Sequence, residues 1–515
     1  MLRSDLIEPL ASHLERHAAA GGDRLAFRDA HSAVTYADLA RRTANCASRL
    51  AEAGIAPGDT IAIYLPNSVA WAEALLSITR AGAVAVPITI DATDAEISYR
   101  LSDASCRAVV TLAAKVETIA RLRQEAPSVE HLIVTGRDVA DGTLSFEDLA
   151  QQPGRNPARD PQDLDAPAFI VYTSGTTGKA KGVILTARGM LWVTAACWAP
   201  ILGLGPDDRV LSPLPLYHSY ALNLCVVSIV ATGASIYLME RFSTSEATRL
   251  LRGGGFTVFP AVPTIFHYLL ETARKEGGFD PPDLRVCITA GAIMPAALND
   301  QFEAFFGVPL LDGYGITETS TMVTMNDSRG RRVPGSCGIP LPGLAVRIVD
   351  PTTLRDCDPG EEGELIVRGP NVMSGYLNKP EETAKALRQG WYHTGDLARS
   401  DRNGFITITG RIKELIIRGG QNIAPAEVEE VVLKHESVVD CAVVGLPHEG
   451  LGEIVGLFVI ARDENFNEEV LIEHCRVHLS AYKIPTSIHR VAQIPRTGSG
   501  KIIRYRLREA VAKVS

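Results

Sequence analysis

The segment at residues 172–182 combines residue types that bind phosphate and reads YTSGTTGKAKG. Glycines let the backbone fold tightly and present N–H groups to an anion, while hydroxyl side chains and lysines surround the space inside. The pattern is not a Walker P-loop, because Lys179 is followed by Ala180 and not by Ser or Thr. The sequence therefore predicts a phosphate-binding loop here, in preference to a flexible surface loop. Its candidate ligand-binding residues are Thr173, Ser174, Gly175, Thr176, Thr177, Gly178, Lys179 and Lys181.

Further short segments place glycine, hydroxyl and charged residues together. A lone histidine or a charged turn is more often structural than functional, so each segment alone is weak, and their order along the chain is the stronger signal. They are PLYHS at 215–219, TAGA at 289–292, DGYGITE at 312–318, GWYHTGD at 390–396, GRIKE at 410–414, RGGQN at 418–422 and PRTGSGK at 495–501.

The elements that must position these segments alternate between helical periodicity and short apolar, β-branched runs. This alternation predicts an α/β fold with largely parallel, buried strands, in which ligands collect at the carboxyl ends of strands. We predict a helix at 72–81 and strands at 83–86, 108–112, 169–172, 210–212, 235–238, 257–259 and 286–289.

The sequence pattern changes after about residue 340. Short predicted strands at 346–349, 363–368 and 405–409 indicate a β-rich subdomain there. From residue 411 onwards we predict a small α+β domain. The expected domains are therefore 1–410, including the β-rich part at about 340–410, and 411–515. The second domain should contain helices at 426–435 and 468–479, and strands at 440–444 and 456–460.

Composition is that of an ordinary globular protein, with 515 residues, 46% hydrophobic residues and a net charge of −9. A mildly acidic surface argues against nucleic acid as a partner. The nine cysteines follow no metal or disulfide spacing, which predicts buried thiols in a reducing compartment. With no signal peptide and no apolar run long enough for a membrane span, the expected location is the cytoplasm.

Taken in order, these segments resemble the superfamily of acyl-CoA synthetases, peptide-synthetase adenylation domains and firefly luciferase. The match covers nearly the whole chain and looks closest to coumarate-type and fatty-acyl-CoA ligases. One departure is Ala180, where the family usually has proline. The resemblance implies an ATP-dependent acid–thiol ligase with a mobile C-terminal domain, using ATP, magnesium and coenzyme A.

The resemblance also implies residue roles. The loop at 173–181 would grip the β- and γ-phosphates, and Lys501 would reach the α-phosphate and the substrate carboxylate. A fixed cation there would offset charge that builds in the transition state. Thr317 would bind the α-phosphate, Glu318 would hold magnesium, and Tyr314 would stack on adenine. The remaining implied nucleotide contacts are Gly291, Ala292, Asp312, Gly313, Gly315, Asp396 to both ribose hydroxyls, and Arg411 to ribose and phosphate.

By the same resemblance, His218 belongs to an aromatic/His gate beside the acyl pocket, and Lys413 is the hinge between the domains. Arg418, Gly419 and Gly420 would line the tunnel for the pantetheine arm of coenzyme A. Most expected pocket residues are apolar and none is a cation, which disfavours a dicarboxylate because its second charge would be buried unpaired. The pocket residues are Tyr217, Ser219, Ile316 and Met322, with Ala292 beside them.

Three alternatives share some or all of these residues. An acyl-AMP ligase that loads the phosphopantetheine of a carrier protein would carry every motif, although no attached carrier domain is present. A luciferase-type oxygenase would need a specialised acid. A non-catalytic nucleotide-binding homologue would not need Thr317, Glu318, Asp396, Arg411 and Lys501 together.

Overall fold

The computed structural model describes residues 2–136, 141–173, 180–464, 466–497 and 500–512. These residues form three sheets with their helices up to residue 411 and a smaller sheet with its own helices beyond it. Among the helices in those ranges, none is long and apolar enough to cross a membrane.

The first part of the chain, through residue 340, supplies most of the two large sheets. Strands β1 to β16 are Leu25–Arg28, Ala33–Thr35, Thr60–Tyr64, Val84–Pro87, Ala108–Leu112, His131–Thr135, Leu144–Ser145, Pro167–Thr173, Lys181–Thr186, Arg209–Ser212, Ser235–Leu238, Val258–Ala261, Val286–Thr289, Leu310–Tyr314, Thr324–Met325 and Ile339–Pro340. Helices α1 to α12 are Leu10–Gly21, Tyr36–Glu52, Val69–Arg80, Asp94–Asp103, Val116–Leu122, Phe146–Gln151, Ala187–Val193, Ser219–Ala221, Ser228–Thr232, Thr244–Arg252, Pro263–Lys275 and Ala296–Phe306.

The remaining elements build the two smaller sheets. Strands β17 to β27 are Ala345–Val349, Gly363–Arg368, Gly375–Tyr376, Leu387–Arg388, Trp391–Ser400, Ile406–Arg411, Ile416–Arg418, Gln421–Ile423, Val438–His448, Gly452–Ala461 and Ser487–Arg490. Helices α13 to α16 are Pro380–Ala386, Pro425–Leu433, Glu468–His478 and Arg504–Ala512.

The two large sheets are mostly parallel and share a core. One has eight strands in the order β19-β9-β8-β4-β3-β5-β6-β7, and the other has nine in the order β16-β15-β14-β13-β12-β10-β11-β1-β2. Helix α3 contacts β3 and β4 of the first and β1 of the second, so it lies between them. Its side chains are accordingly almost all buried, as expected for a helix with apolar neighbours on all sides.

The third sheet, with strand order β17-β18-β21-β20 and β22 beside β21, is antiparallel and corresponds to the predicted β-rich region. The fourth, with order β24-β23-β26-β25 and β27 beside β26, contains only elements after residue 415. Two short 3-10 turns contain candidate site residues. The turn Thr317–Thr319 contains Thr317 and Glu318, and the turn Ile412–Glu414 contains Lys413.

The structure confirms the predicted mixed α/β fold with a large first part and a small second one. Strands β5, β11, β13 and β18 have the predicted bounds. The structure differs from the prediction in two antiparallel regions. Strands β25 and β26 are about twice as long as predicted, and they pair with each other as one hairpin. The eight-stranded sheet also ends in antiparallel strands, because β8 turns back into β9 and β9 pairs with β19.

All nine cysteines are free thiols, and all but Cys357 are buried, as their spacing predicts.

Candidate active site

A cleft of about 950 Å³ lies between the first and second parts of the chain. Its size is in the range of pockets that enclose a small molecule. Residues from both parts line it, and eleven of the candidate residues are among them: Gly291, Ala292, Asp312, Gly313, Tyr314, Gly315, Ile316, Asp396, Arg411, Lys413 and Lys501.

A second, much smaller cavity of about 60 Å³ adjoins the cleft. Gly291, Gly315, Ile316 and Lys501 line both spaces, so the two meet at the Lys501 side chain. The other lining residues are mainly apolar or small: Leu214, Pro215, His218, Ser219, Tyr220, Ala221, Val262, Ala290, Thr317, Thr321 and Met322.

The cleft floor carries a carboxylate held from two sides. Asp396 lies in β21 opposite Arg411 of β22, and the Arg411 Nε atom is 2.9 Å from Asp396 Oδ1. The Tyr314 hydroxyl, at the end of β14, donates to Asp396 Oδ2 at 2.5 Å. Asp396 holds the pKa of Arg411 above its usual value, while burial raises the pKa of Tyr314. Such a carboxylate can accept hydrogen bonds from the two hydroxyls of a diol. The aromatic ring and the permanent cation beside it can contact a planar ring carried by the same ligand.

Lys501 reaches this floor from the second part of the chain. The loop before it is braced by Arg496, which pairs with both Asp440 oxygens at 2.8 and 2.9 Å and donates to the Gly500 carbonyl at 2.9 Å. Gly500 has φ of +80°, and a Cβ there would be 3.1 Å from Val262 across the cleft. Glycine is therefore required both by the backbone conformation and by this close approach.

The charge of Lys501 is set by its surroundings. Burial is the main cause that lowers its pKa, followed by the nearby Arg411, whereas Asp396 and Glu318 act in the opposite direction. Lys501 therefore lies at the boundary of the two cavities with a pKa below that of an ordinary lysine.

His218 lies at the edge of the small cavity. Burial, with a smaller contribution from Lys501, lowers its pKa to about 3, so the imidazole is neutral near pH 7. Its Nε2 atom is buried and has no hydrogen-bond partner among the described residues. Next to it, Ser219 Oγ is 3.2 Å from Thr317 Oγ1, which brings the two predicted segments together.

Glu318 is fixed by contacts from the β19 region. The Tyr376 hydroxyl donates to Glu318 Oε1 at 3.0 Å, and Met373 N donates to the Glu318 carbonyl at 2.8 Å. The Lys181 ammonium is 4.9 Å from the Tyr376 ring centroid and forms an ion pair with Glu382. The Glu318 carboxylate is thereby held near a lysine of the predicted phosphate loop.

The predicted phosphate loop is described only at its two ends. Thr173 and Lys181 face each other as a register pair where β8 and β9 meet. The other candidate residues of the loop lie outside the described residues, namely Ser174, Gly175, Thr176, Thr177, Gly178 and Lys179.

Some candidate residues lie away from both cavities. Tyr217 does not line either one, and its ring packs on His218 at 4.3 Å between ring centroids. Arg418 donates to the Tyr482 carbonyl at 2.7 Å and begins the turn at Gly419 and Gly420, which line neither cavity. Both glycines have positive φ, which suits this turn between β23 and β24.

Sequence reasoning missed Tyr220, Val262 and Tyr376. Tyr220 and Val262 line the small cavity, and Tyr376 holds Glu318. Tyr220 stands three residues after Tyr217, so its position near the PLYHS segment was the available signal. Tyr376 contacts Glu318 across 58 residues of sequence, and no local pattern predicts such a contact.

Comparison with known proteins identifies the family. A family model described as AMP-binding enzyme matches residues 14–377, and one described as AMP-binding enzyme C-terminal domain matches residues 427–501. The chain belongs to the AMP-binding enzyme family. The second family match contains Lys501 and the first contains Thr317 and Glu318, so the cleft lies between the two matched regions.

Individual relatives of this AMP-binding enzyme agree on the reaction class. A long-chain-fatty-acid–CoA ligase of Yersinia pestis is 34% identical over 99% of this chain and 95% of its own. A sulfoacetate–CoA ligase of Cupriavidus necator is 35% identical over 98% of each chain. A solved anthranilate CoA ligase in complex with anthranoyl-AMP superposes with a TM-score of 0.92, at 26% identity over 100% of this chain and 99% of that one. The protein is an acid–thiol ligase that uses ATP and coenzyme A.

Proposed function

We propose that the cleft binds ATP, that the adjoining small cavity binds the hydrocarbon part of a compact carboxylic acid, and that Lys501 acts where they meet. The observation that carries this proposal is the shared lining of the two cavities by Lys501, Gly291 and Gly315. An acid in the small cavity would present its carboxylate at that junction, next to a nucleotide whose ribose lies over Asp396.

The first half-reaction follows from this arrangement. A carboxylate oxygen attacks the α-phosphorus, the bond to the bridging oxygen breaks, and pyrophosphate leaves with its electron pair, giving acyl-AMP. Lys501 and Thr317 stabilise the charge that builds on the α-phosphate, and Tyr314, Asp396 and Arg411 position the nucleoside. Since His218 is neutral, it can lie against the acid without adding charge.

In the second half-reaction a thiolate attacks the acyl carbonyl, and the bond to the AMP oxygen breaks. We propose that the second part of the chain, residues 411–515, turns about Lys413 for this step. Its turn at Gly419 and Gly420 would then face the adenylate in place of Lys501. In the present orientation that turn lines neither cavity, so a motion of the second part would be needed to bring it to the adenylate.

Glu318 is the candidate magnesium ligand. Among the described residues no group of three histidine, cysteine, aspartate or glutamate side chains could hold a metal ion by itself. A single fixed carboxylate still fits magnesium, which is commonly bound through one or two carboxylates together with water and substrate phosphates. When bound, the ion would neutralise phosphate charge, and Tyr376 would keep the Glu318 carboxylate oriented towards it.

We expect Glu318→Gln to raise the magnesium concentration needed for half-maximal pyrophosphate release by roughly tenfold or more, because a neutral amide replaces a charged oxygen ligand. The measurement is a magnesium titration of acid-dependent pyrophosphate release. Glu382→Gln, which removes a nearby carboxylate that pairs with Lys181, is the control. A magnesium curve for Glu318→Gln that overlays the wild-type curve would rule out this ligand.

The small cavity limits the acid. Its volume of about 60 Å³ is smaller than the roughly 150 Å³ of a cavity that holds benzene. The cavity therefore suits an acid with a short or compact apolar group better than one with a long chain. Its wall includes Tyr220, whose ring stacks on Trp198 at 6.2 Å between ring centroids. Trp198 in turn donates to the buried Asn223 at 2.6 Å, which fixes this wall. Lys501 is the one cation among the described lining residues, so a dicarboxylate remains disfavoured.

We expect Tyr220→Ala to shift the preferred acid towards larger members of a series, because it removes the ring that closes the cavity. The measurement is kcat/KM for pyrophosphate release with straight-chain acids of increasing length and with benzoate. Tyr220→Phe keeps the ring and should keep the wild-type profile. A wild-type optimum at long chains, together with an unchanged profile in Tyr220→Ala, would refute the size limit.

We also propose that the protein works in a reducing compartment such as the cytoplasm. Nine free thiols, eight of them buried, support this location.

A further inference from the structure

Arg100 is a partly buried cation whose guanidinium has an N–H donor that the described residues leave unsatisfied. It lies on α4, and its buried Nη1 atom has no hydrogen-bond partner among the described residues. The glutamate one turn earlier, Glu96, is engaged in the helix cap, where its carboxylate accepts from Thr93 N at 2.9 Å. Burial is the main cause that lowers the pKa of Arg100, and it outweighs the opposing effect of the Glu96 charge.

Several other arginines of the large first part that are shielded from solvent are paired with carboxylates. This contrast is informative because a buried charge is costly unless it is paired. The paired arginines and their partners are Arg42 with Glu73 and Glu147, Arg80 with Asp160, and Arg332 with Glu303.

The surroundings of Arg100 lie at the edge of the sheet where ligands bind. Its guanidinium carbon is 6.0 Å from the ring centroid of Tyr172, near the carboxyl end of β8. The neighbouring Tyr99 hydroxyl donates to the Ala180 carbonyl at 2.8 Å, just before β9. The charge of Arg100 also influences the pKa of Tyr217, whose ring packs on His218 of the small cavity. Arg100 is therefore close to the site but is not among the residues that line its two cavities.

We propose that Arg100 binds a phosphate group of a substrate. A guanidinium presents a planar fork of N–H donors that matches phosphate oxygens, and the ring of Tyr172 lies beside this guanidinium. The phosphate could belong to the polyphosphate of ATP or to coenzyme A. Both ligands come from the proposed function, on which this inference rests.

The test is equilibrium binding to the full-length protein, measured by calorimetry without any acid. The ligands are ATP with magnesium, coenzyme A, and pantetheine, which has the thiol arm of coenzyme A but no phosphate. For Arg100→Gln we expect the Kd of ATP or of coenzyme A to rise about tenfold or more, since a hydrogen bond between charged groups is lost. Pantetheine should bind as it does to wild type. A loss for ATP assigns the polyphosphate, and a loss for coenzyme A assigns the phosphates of that ligand.

Two further variants keep the test decisive. Arg241→Gln removes an exposed arginine that pairs with Asp91, and it should bind every ligand like wild type. Arg100→Lys keeps the charge without the planar fork, so its affinity should lie between those of wild type and Arg100→Gln. Unchanged Kd values for ATP and coenzyme A in both Arg100 variants, or an equal loss for pantetheine, would overturn the proposal. Because no acid is present, a ligase that turned over no acid would count against the proposed function and not against Arg100.

Discussion

Lys501→Ala will abolish acyl-AMP formation while largely sparing thiol transfer from supplied acyl-AMP. The loss in the first half-reaction should be on the order of 10²–10³, the usual effect of removing one preorganised donor to a developing negative charge. The reason is the position of Lys501 at the junction of the two cavities, together with the proposed departure of its loop before the thiol step.

The assay for Lys501→Ala measures the two half-reactions separately, as acid-dependent pyrophosphate release and as acyl-CoA formation from synthetic acyl-AMP. Lys275→Ala, an exposed lysine at the end of α11, is the control for loss of one positive charge. An equal loss in both half-reactions would contradict the proposed division between them.

The same residue sets an expected pH dependence. Since the pKa of Lys501 is lowered, its cation is lost at a lower pH than that of an ordinary lysine. Pyrophosphate release should therefore fall as the pH rises through this lowered pKa, and Lys501→Arg should move the fall to higher pH. His218, with a pKa of about 3, should contribute no change near neutral pH.

Lys413→Pro will retain pyrophosphate release and lose thiol transfer. Lys413 lies in the 3-10 turn Ile412–Glu414, between β22 and β23. Proline fixes φ near roughly −65°, which is close to the value of a 3-10 turn, so the orientation with Lys501 in the cleft should be the one retained. A hinge that cannot change its torsion angle would then prevent the second orientation.

The alternative is that Lys413 is only a linker residue and that proline destabilises the turn. Lys413→Ala, which keeps backbone freedom, should retain both half-reactions within a few-fold. An unchanged Tm with only thiol transfer lost supports the hinge. Loss of both half-reactions together with a lowered Tm for Lys413→Pro would remove that support.

Much of this fold follows from local sequence patterns. Strands such as β5 and β13 could be predicted because they are short, apolar and β-branched, and the motif at 289–292 stands at the carboxyl end of β13. The same rule explains why Asp312 in β14 and Gly291, which follows the neighbouring strand β13, line one cleft. Parallel strands make this possible because their carboxyl ends share one edge of the sheet.

The parts that could not be predicted depend on contacts distant in sequence or on side-chain direction. Tyr217 and Tyr220 both follow β10, and no local pattern says that Tyr220 lines the small cavity while Tyr217 does not. Arg100 itself is typical of the solvated face of an amphipathic helix when only α4 is considered. Its neighbour Tyr172 comes from another segment of the chain, so only the tertiary structure reveals that the Arg100 Nη1 atom is buried without a hydrogen-bond partner among the described residues.

The most direct test of the central claim is a product analysis of the wild-type enzyme with ATP, magnesium and a series of carboxylic acids, with and without coenzyme A. The account predicts acid-dependent release of pyrophosphate, with acyl-AMP bound when coenzyme A is absent. With coenzyme A present, AMP and acyl-CoA should form in equal amounts, most efficiently for compact apolar acids. Formation of ADP and phosphate, or pyrophosphate release that does not depend on the acid, would contradict it.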